Sequence, residues 1–172
     1  MFIGHLPAGY ITSKLLYPRF SGQNVVSNHF LWAGVLGAIT PDSDMVYFYL
    51  VDHRQHHHHT YMTHYPIIWV TMLFLSIISL RISRNLYYPS LAVIFSLNGV
   101  IHMLLDSIVG DIWWLAPLAG KPFAFFTVPA LYKPWWLSFI FHWSFGLELV
   151  VVIWAVYLWW QPNQDGSRVI RA

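Results

Sequence analysis

At 172 residues and 20.1 kDa the chain is long enough for one domain, and 57% of it is hydrophobic, 19% aromatic and only 9% charged. A soluble surface needs roughly a quarter charged residues, so this composition, with a mean hydropathy of +0.51, points to a small membrane protein and excludes a disordered chain and a conventional nucleic-acid binder. The formal charge is +2, and the lack of cysteine excludes disulfides, thiolate metal sites, iron–sulfur clusters and cysteine nucleophiles.

In chain order, the first 64 residues have apolar runs broken by Pro7, Pro18 and Pro41. They read as short helices over about residues 3–16, 25–39 and 44–51, with Thr40-Pro41-Asp42 supplying a break and an N-terminal cap for the third. No basic region precedes the apolar residues, so a secretory signal is not expected. His53, His56 and His57 read as a solvated loop, while His58 is ambiguous. Three stretches have the length and apolarity of a spanning helix, for which about 20 residues are needed. Residues 65–80 carry no ionisable group and stop at Arg81 and Arg84. Residues 90–110 are broken by Asn98, His102 and Asp106, and residues 137–160 by His142 and Glu148. The pairs Tyr87-Tyr88, Trp113-Trp114, Trp135-Trp136 and Trp159-Trp160 flank these spans, where amphipathic rings favour the headgroup level. A polar tail, 161–172, follows. The expected fold is an all-α integral membrane protein of one domain, 1–172, with about three full transmembrane helices and short N-terminal helices in one bundle.

The short loop at 81–88 makes the first two spans an antiparallel hairpin, so depth can be counted from it. His64 lies 17 residues before Arg81, His102 and Asp106 lie 14 and 18 residues beyond Tyr88, and His142 lies 18 before Trp160. At about 1.5 Å per residue all four sit roughly 21–27 Å from the loop face. Ionisable groups at such depth cost about 2.5–3.5 kcal/mol each and normally face a cavity, a partner or a metal. His102 and Asp106, four apart, share a helical face and can bind one cation. Glu148, about 240° around the helix from His142 and deeper, suits an interhelical hydrogen bond. Asp42 and Asp44 fit either a helix start or coordination.

Arg81, Arg84, Arg168 and Arg171 concentrate at the hairpin-loop face, which makes that face cytoplasmic and turns the polar cluster outward. Lys14, Arg19, Arg54, Lys121 and Lys133 fall on the opposite side in this scheme.

Four short patterns carry a resemblance. They are His5-Leu6-Pro7-Ala8-Gly9 (His-x-x-x-Gly), Pro41-Asp42-Ser43-Asp44 (Pro-Asp-x-Asp), the run from His59 through Thr63-His64 (His-Arg-x-x-Thr-His) and His102 with Asp106 (His-x-x-x-Asp), followed by Gly110 and Pro117. In this order, over residues 5–117, the chain resembles the LexA-regulated, membrane-bound metal-dependent hydrolase family (YdjM-like), itself similar at long range to zinc-dependent phospholipase C and P1-type nucleases. Thr60 stands where the pattern has arginine, so no phosphate-binding arginine carries over. The resemblance implies a metal set of His5, Asp42, Asp44, His59, His64, His102 and Asp106, with catalytic roles for Asp42, Asp44 and His59; His58, beside the motif, and His142, by its depth alone, stand behind them as second-tier ligands.

Nitrogen and oxygen donors without thiolates suit Zn2+, and Mn2+ or Fe2+ fit the same ligands. The expected function is a membrane-bound, metal-dependent hydrolase acting on a phosphoester or lipid-linked substrate by metal-activated water, a multi-pass protein of the inner (cytoplasmic) membrane whose partners are the bilayer and a lipid, with no nucleic acid. The rivals are a membrane metal carrier or transporter, which needs polar groups along a through-path, and a bis-histidine haem protein built on His64, His102 and His142.

Overall fold

A computed structural model describes residues 3–134 and 136–161. Trp135, Arg168, Arg171 and nearly all of the expected polar tail lie outside them. The described residues form seven α-helices and no strand: α1 (His5–Leu16), α2 (Ser27–Ile39), α3 (Asp44–Leu50), α4 (Pro66–Ile82), α5 (Tyr87–Asp106), α6 (Trp136–Ile140) and α7 (Trp143–Trp160). The N-terminal helices begin and end within two residues of the sequence expectation, because Pro18 and Pro41 punctuate them where expected.

α5 is the centre of the bundle, packed on α2, α4 and α1, while α7 lies against α1. α2 approaches α5 through glycine. A Cβ on Gly37 would stand 2.0 Å from the Phe95 carbonyl oxygen, so the two backbones touch there. Three residues further along α5 the interior turns polar: Asn98 Nδ2 donates to Ser13 Oγ at 3.3 Å and to Ile94 O at 3.1 Å. Towards the hairpin loop Phe30, Val25 and Ile94 make an apolar core with Tyr17, Phe20, Tyr87 and Leu91.

Two helices, α5 and α7, are long and apolar enough to cross a membrane. α4 is apolar but shorter, at 17 residues. The expected span 137–160 is interrupted. His142 is extended (φ −82°, ψ 143°) and its ring accepts from the Ser144 backbone N–H, so α7 starts afresh at Trp143 and α6 stands apart. Phe74, Leu75, Val150 and Ile153 leave broad apolar faces uncovered on α4 and α7, a surface that calls for lipid rather than water.

The placement of Lys14 and Arg19 on the same side as the polar cluster is corrected. Lys14 Nζ donates to Leu158 O and Gln161 O at the far end of α7, and Arg19 sits between Tyr17 and Phe20, which pack beside the first turns of α5. Both lie at the hairpin-loop end, because α1 runs away from its own first residue, His5, for its full length.

Candidate metal centre

The C-terminal turn of α5 places His102 and Asp106 on one face, as a four-residue separation dictates. Two short 3-10 turns, His58–Thr60 and Met62–His64, bring His59 and His64 to the same place, and the turn Pro41–Ser43 between α2 and α3 brings Asp42. Gly110 is needed where the chain leaves α5, because a Cβ there would lie 2.8 Å from His59 Cε1.

Hydrogen bonding fixes the ring protons. A carbonyl or carboxylate oxygen only accepts, so the nitrogen facing it carries the hydrogen. His102 Nδ1 donates to Ala38 O at 2.7 Å, His59 Nδ1 to Asp111 O at 2.9 Å and His64 Nδ1 to Asp44 Oδ2 at 2.5 Å. Asp44 is held in turn by Thr63 Oγ1 at 2.7 Å. Each ring is thereby oriented through Nδ1 and presents Nε2 inward, the arrangement that second-shell partners give metal-binding histidines.

The inward atoms converge. His102 Nε2 lies 3.0 Å and His64 Nε2 3.8 Å from Asp106 Oδ2, and both lie 3.6 Å from Asp42 Oδ1. His59 Nε2 is 3.6 Å from Asp106 Oδ2. Four donors around a zinc ion at about 2.0–2.1 Å are separated by roughly 3.3 Å along each tetrahedral edge, and the observed 3.0–3.8 Å brackets that spacing. In neutral His102, Nε2 and the carboxylate oxygen facing it at 3.0 Å are both acceptors; two lone pairs held so close in a buried site call for a positive charge between them. The residues present fit a divalent cation. Asp42, His64, His102 and Asp106 form one group that could hold it, and His58, His59 and His64 form a second.

His5 and Asp44 stand one step back. His5 Nε2 donates to Asp106 Oδ1 at 3.0 Å, and its ring stacks on His102 with centroids 3.7 Å apart. His142 is not gathered here: its Nδ1 pairs with Ser144 Oγ at 2.8 Å. It is the N-cap of α7, which runs unbroken from Trp143 to Trp160. The carbonyls of Ala38 and Asp111 carry no side-chain signal and were not readable; Thr63 was flagged only as part of the Thr-His pattern.

Electrostatics prepare the rings unequally. Burial holds His57 low, and it pushes His58 down to about 4 and His59 to about 2, so these rings are neutral at pH 7. Burial also pulls His64 down, but the carboxylates of Asp42 and Asp44 outweigh it and raise the ring to about 9. Burial raises Asp42, and the imidazoles of His64, His102 and His5 outweigh that and leave it below its ordinary value.

A cavity of about 640 Å³ opens onto the cluster, with Asp42, His57, His58, His59, Asp106 and Asp111 in its wall. Among the described residues no lysine or arginine lines it, and Arg54 lies instead over the Tyr49 ring at 5.2 Å. Among the described residues, the position that the pattern gives to arginine is not refilled from elsewhere.

An all-helical chain with two helices able to cross a membrane, and with a buried histidine–carboxylate cluster at the end of one, defines a membrane protein carrying a candidate metal centre. The profile of the YdjM inner membrane protein family matches residues 1–166, and the chain belongs to that family. No curated protein and no solved structure matches it.

Proposed function

We propose that the protein is a multi-pass inner-membrane hydrolase dependent on a divalent metal, most consistent with zinc, acting on an ester at headgroup depth. The observation that carries this reading is the convergence of His64 Nε2, His102 Nε2, Asp106 Oδ2 and Asp42 Oδ1, within 3.0–3.8 Å where measured, at the floor of an open cavity. α4, with its uncovered apolar face, is read as the third membrane helix beside α5 and α7.

His64, His102, Asp106 and Asp42 would hold the cation, with His59 and His58 at its cavity side. When bound, such an ion polarises an ester or phosphoryl oxygen and brings the pKa of a water towards neutrality. Asp42 is the carboxylate placed to take a proton, since its side chain is 40% exposed while that of Asp44 is 4% exposed and committed to His64 and Thr63. His5 and Asp44 orient Asp106 and His64. Among the described residues the cavity wall has carboxylates and no lysine or arginine, which favours a neutral or singly charged ester, such as a phosphodiester, over a dianionic phosphomonoester.

The carrier alternative needs polar groups along a path, and α4 offers no ionisable group before Arg81. The haem alternative needs two imidazoles on opposite sides of a macrocycle, whereas the His64 and His102 rings meet edge to face with centroids 5.5 Å apart. The test is a panel of phosphodiesters, phosphomonoesters and phospholipids offered to zinc-loaded, detergent-purified protein. Diester turnover that falls about a hundredfold or more in Asp42→Asn is the expected result; inactivity across the panel in protein that retains its metal contradicts hydrolysis.

A further inference from the structure

Glu148 lies in the membrane-crossing helix α7, is 2% exposed, and is outside the four patterns that marked the metal centre. A carboxylate buried in a span is costly unless it is compensated. Backbone supplies part of the compensation here: Oε2 accepts from Ile3 N at 2.5 Å and from Gly4 N at 3.0 Å. Those are the residues at the mouth of α1, whose N-cap, Gly4, has no side-chain cap of its own. A helix start needs acceptors for its free N–H groups and favours negative charge beside it. α7 supplies both from across the bundle. The converse holds at the other end, where Lys14 of α1 donates to Leu158 O in the last turn of α7. The two helices are therefore pinned in register at both ends.

The next residue after Gly4 is His5, which donates to Asp106 Oδ1 and stacks on His102. We propose that Glu148 is a positioning residue for the metal centre: by holding the N–H groups of Ile3 and Gly4 it sets His5 against Asp106, and so links the last membrane helix to the cluster. This rests on the reading that Asp42, His64, His102 and Asp106 hold a divalent cation.

The experiment titrates Co2+ into the full-length chain in detergent and follows the d–d absorption in wild type, Glu148→Ala, Glu148→Gln, His5→Ala and the Glu148→Ala/His5→Ala double variant. Glu148→Ala is expected to weaken cobalt binding about tenfold, the lower end of the loss typical for an outer-shell partner, and to alter the band shape. Glu148→Gln is expected to stay near wild type, because its amide oxygen accepts the same two N–H bonds. The double variant should bind no more weakly than His5→Ala alone, as expected when one residue acts through the other. Hydrogen exchange of amides 3–8 in metal-free protein should rise in Glu148→Ala and not in Glu148→Gln; Glu148→Asp, one methylene shorter, gives a smaller loss of the same kind if the alanine variant does not fold. Unchanged cobalt affinity in Glu148→Ala, additive losses in the double variant, or a glutamine variant as damaged as alanine overturns the proposal while leaving the metal reading intact. A wild-type protein that takes up no cobalt overturns the metal reading itself, and the proposal with it.

Discussion

At the scale of single residues, the roles in the cluster divide by which ring nitrogen is engaged. Asp44 touches His64 only through Nδ1, so Asp44→Asn is expected to lower metal affinity about 10- to 100-fold without abolishing binding, measurable by competition with a chelating indicator. Metal-free protein has a pH signature of its own. His64 is raised to about 9, so the stability it contributes is fully present below its unfolded value near 6.5 and is lost as pH rises towards 9. His58 and His59 are lowered to about 4 and about 2, so what they contribute is present above about 6.5 and is lost as pH falls. Thermal unfolding of metal-stripped protein should therefore show a maximum Tm near pH 6.5 to 7, and Asp44→Asn should flatten the alkaline side; a Tm that climbs steadily from pH 6.5 to 9 contradicts this. His102 with Asp106 was legible in the sequence because a separation of four fixes a shared helical face. The division of labour between Asp42 and Asp44 was not, since both residue types suit a helix start and only the fold decides which one reaches the cavity.

At the scale of elements, the cluster depends on how closely α2 and α5 pack. Gly37 meets the Phe95 carbonyl, and the following residue, Ala38, offers the oxygen that orients His102. Gly37→Ala must push the helices apart, and is expected to lower stability by about 1–3 kcal/mol and to weaken metal binding together. Gly22→Ala, with open space around its Cβ position, is the control that should change neither. The helices up to α5 were readable to within a few residues because proline and charge mark their ends. The break at His142 was not, because residues 137–160 read as one apolar run and the interruption comes from a local bond, the Ser144 N–H to the His142 ring.

At the scale of the whole molecule, Lys14, Arg19, Arg81 and Arg84 gather at the hairpin-loop end, and Arg54, Lys121 and Lys133 remain in the loops at the cluster end. By the positive-inside tendency the cavity is then predicted to open away from the cytoplasm. The cysteine-free chain makes this directly measurable. In spheroplasts, Gln55→Cys in the histidine loop should react with a membrane-impermeant maleimide, and Asn85→Cys in the hairpin loop should react only after permeabilisation; the reverse pattern would put the site on the cytoplasmic face. Hydropathy and charge made the membrane class legible, whereas the sidedness of Lys14 and Arg19 needed the course of α1 in three dimensions.

The central claim is that distant segments gather imidazole and carboxylate around a divalent cation. Elemental analysis of detergent-purified protein tests it most directly, with wild type beside His64→Ala and Asp106→Ala variants that retain the wild-type helical circular dichroism. Stoichiometric zinc, manganese or iron in the wild type and its loss in both variants is the expected result. Equal metal content in all three proteins, or none in a wild type purified without chelator and then offered each metal, would contradict it.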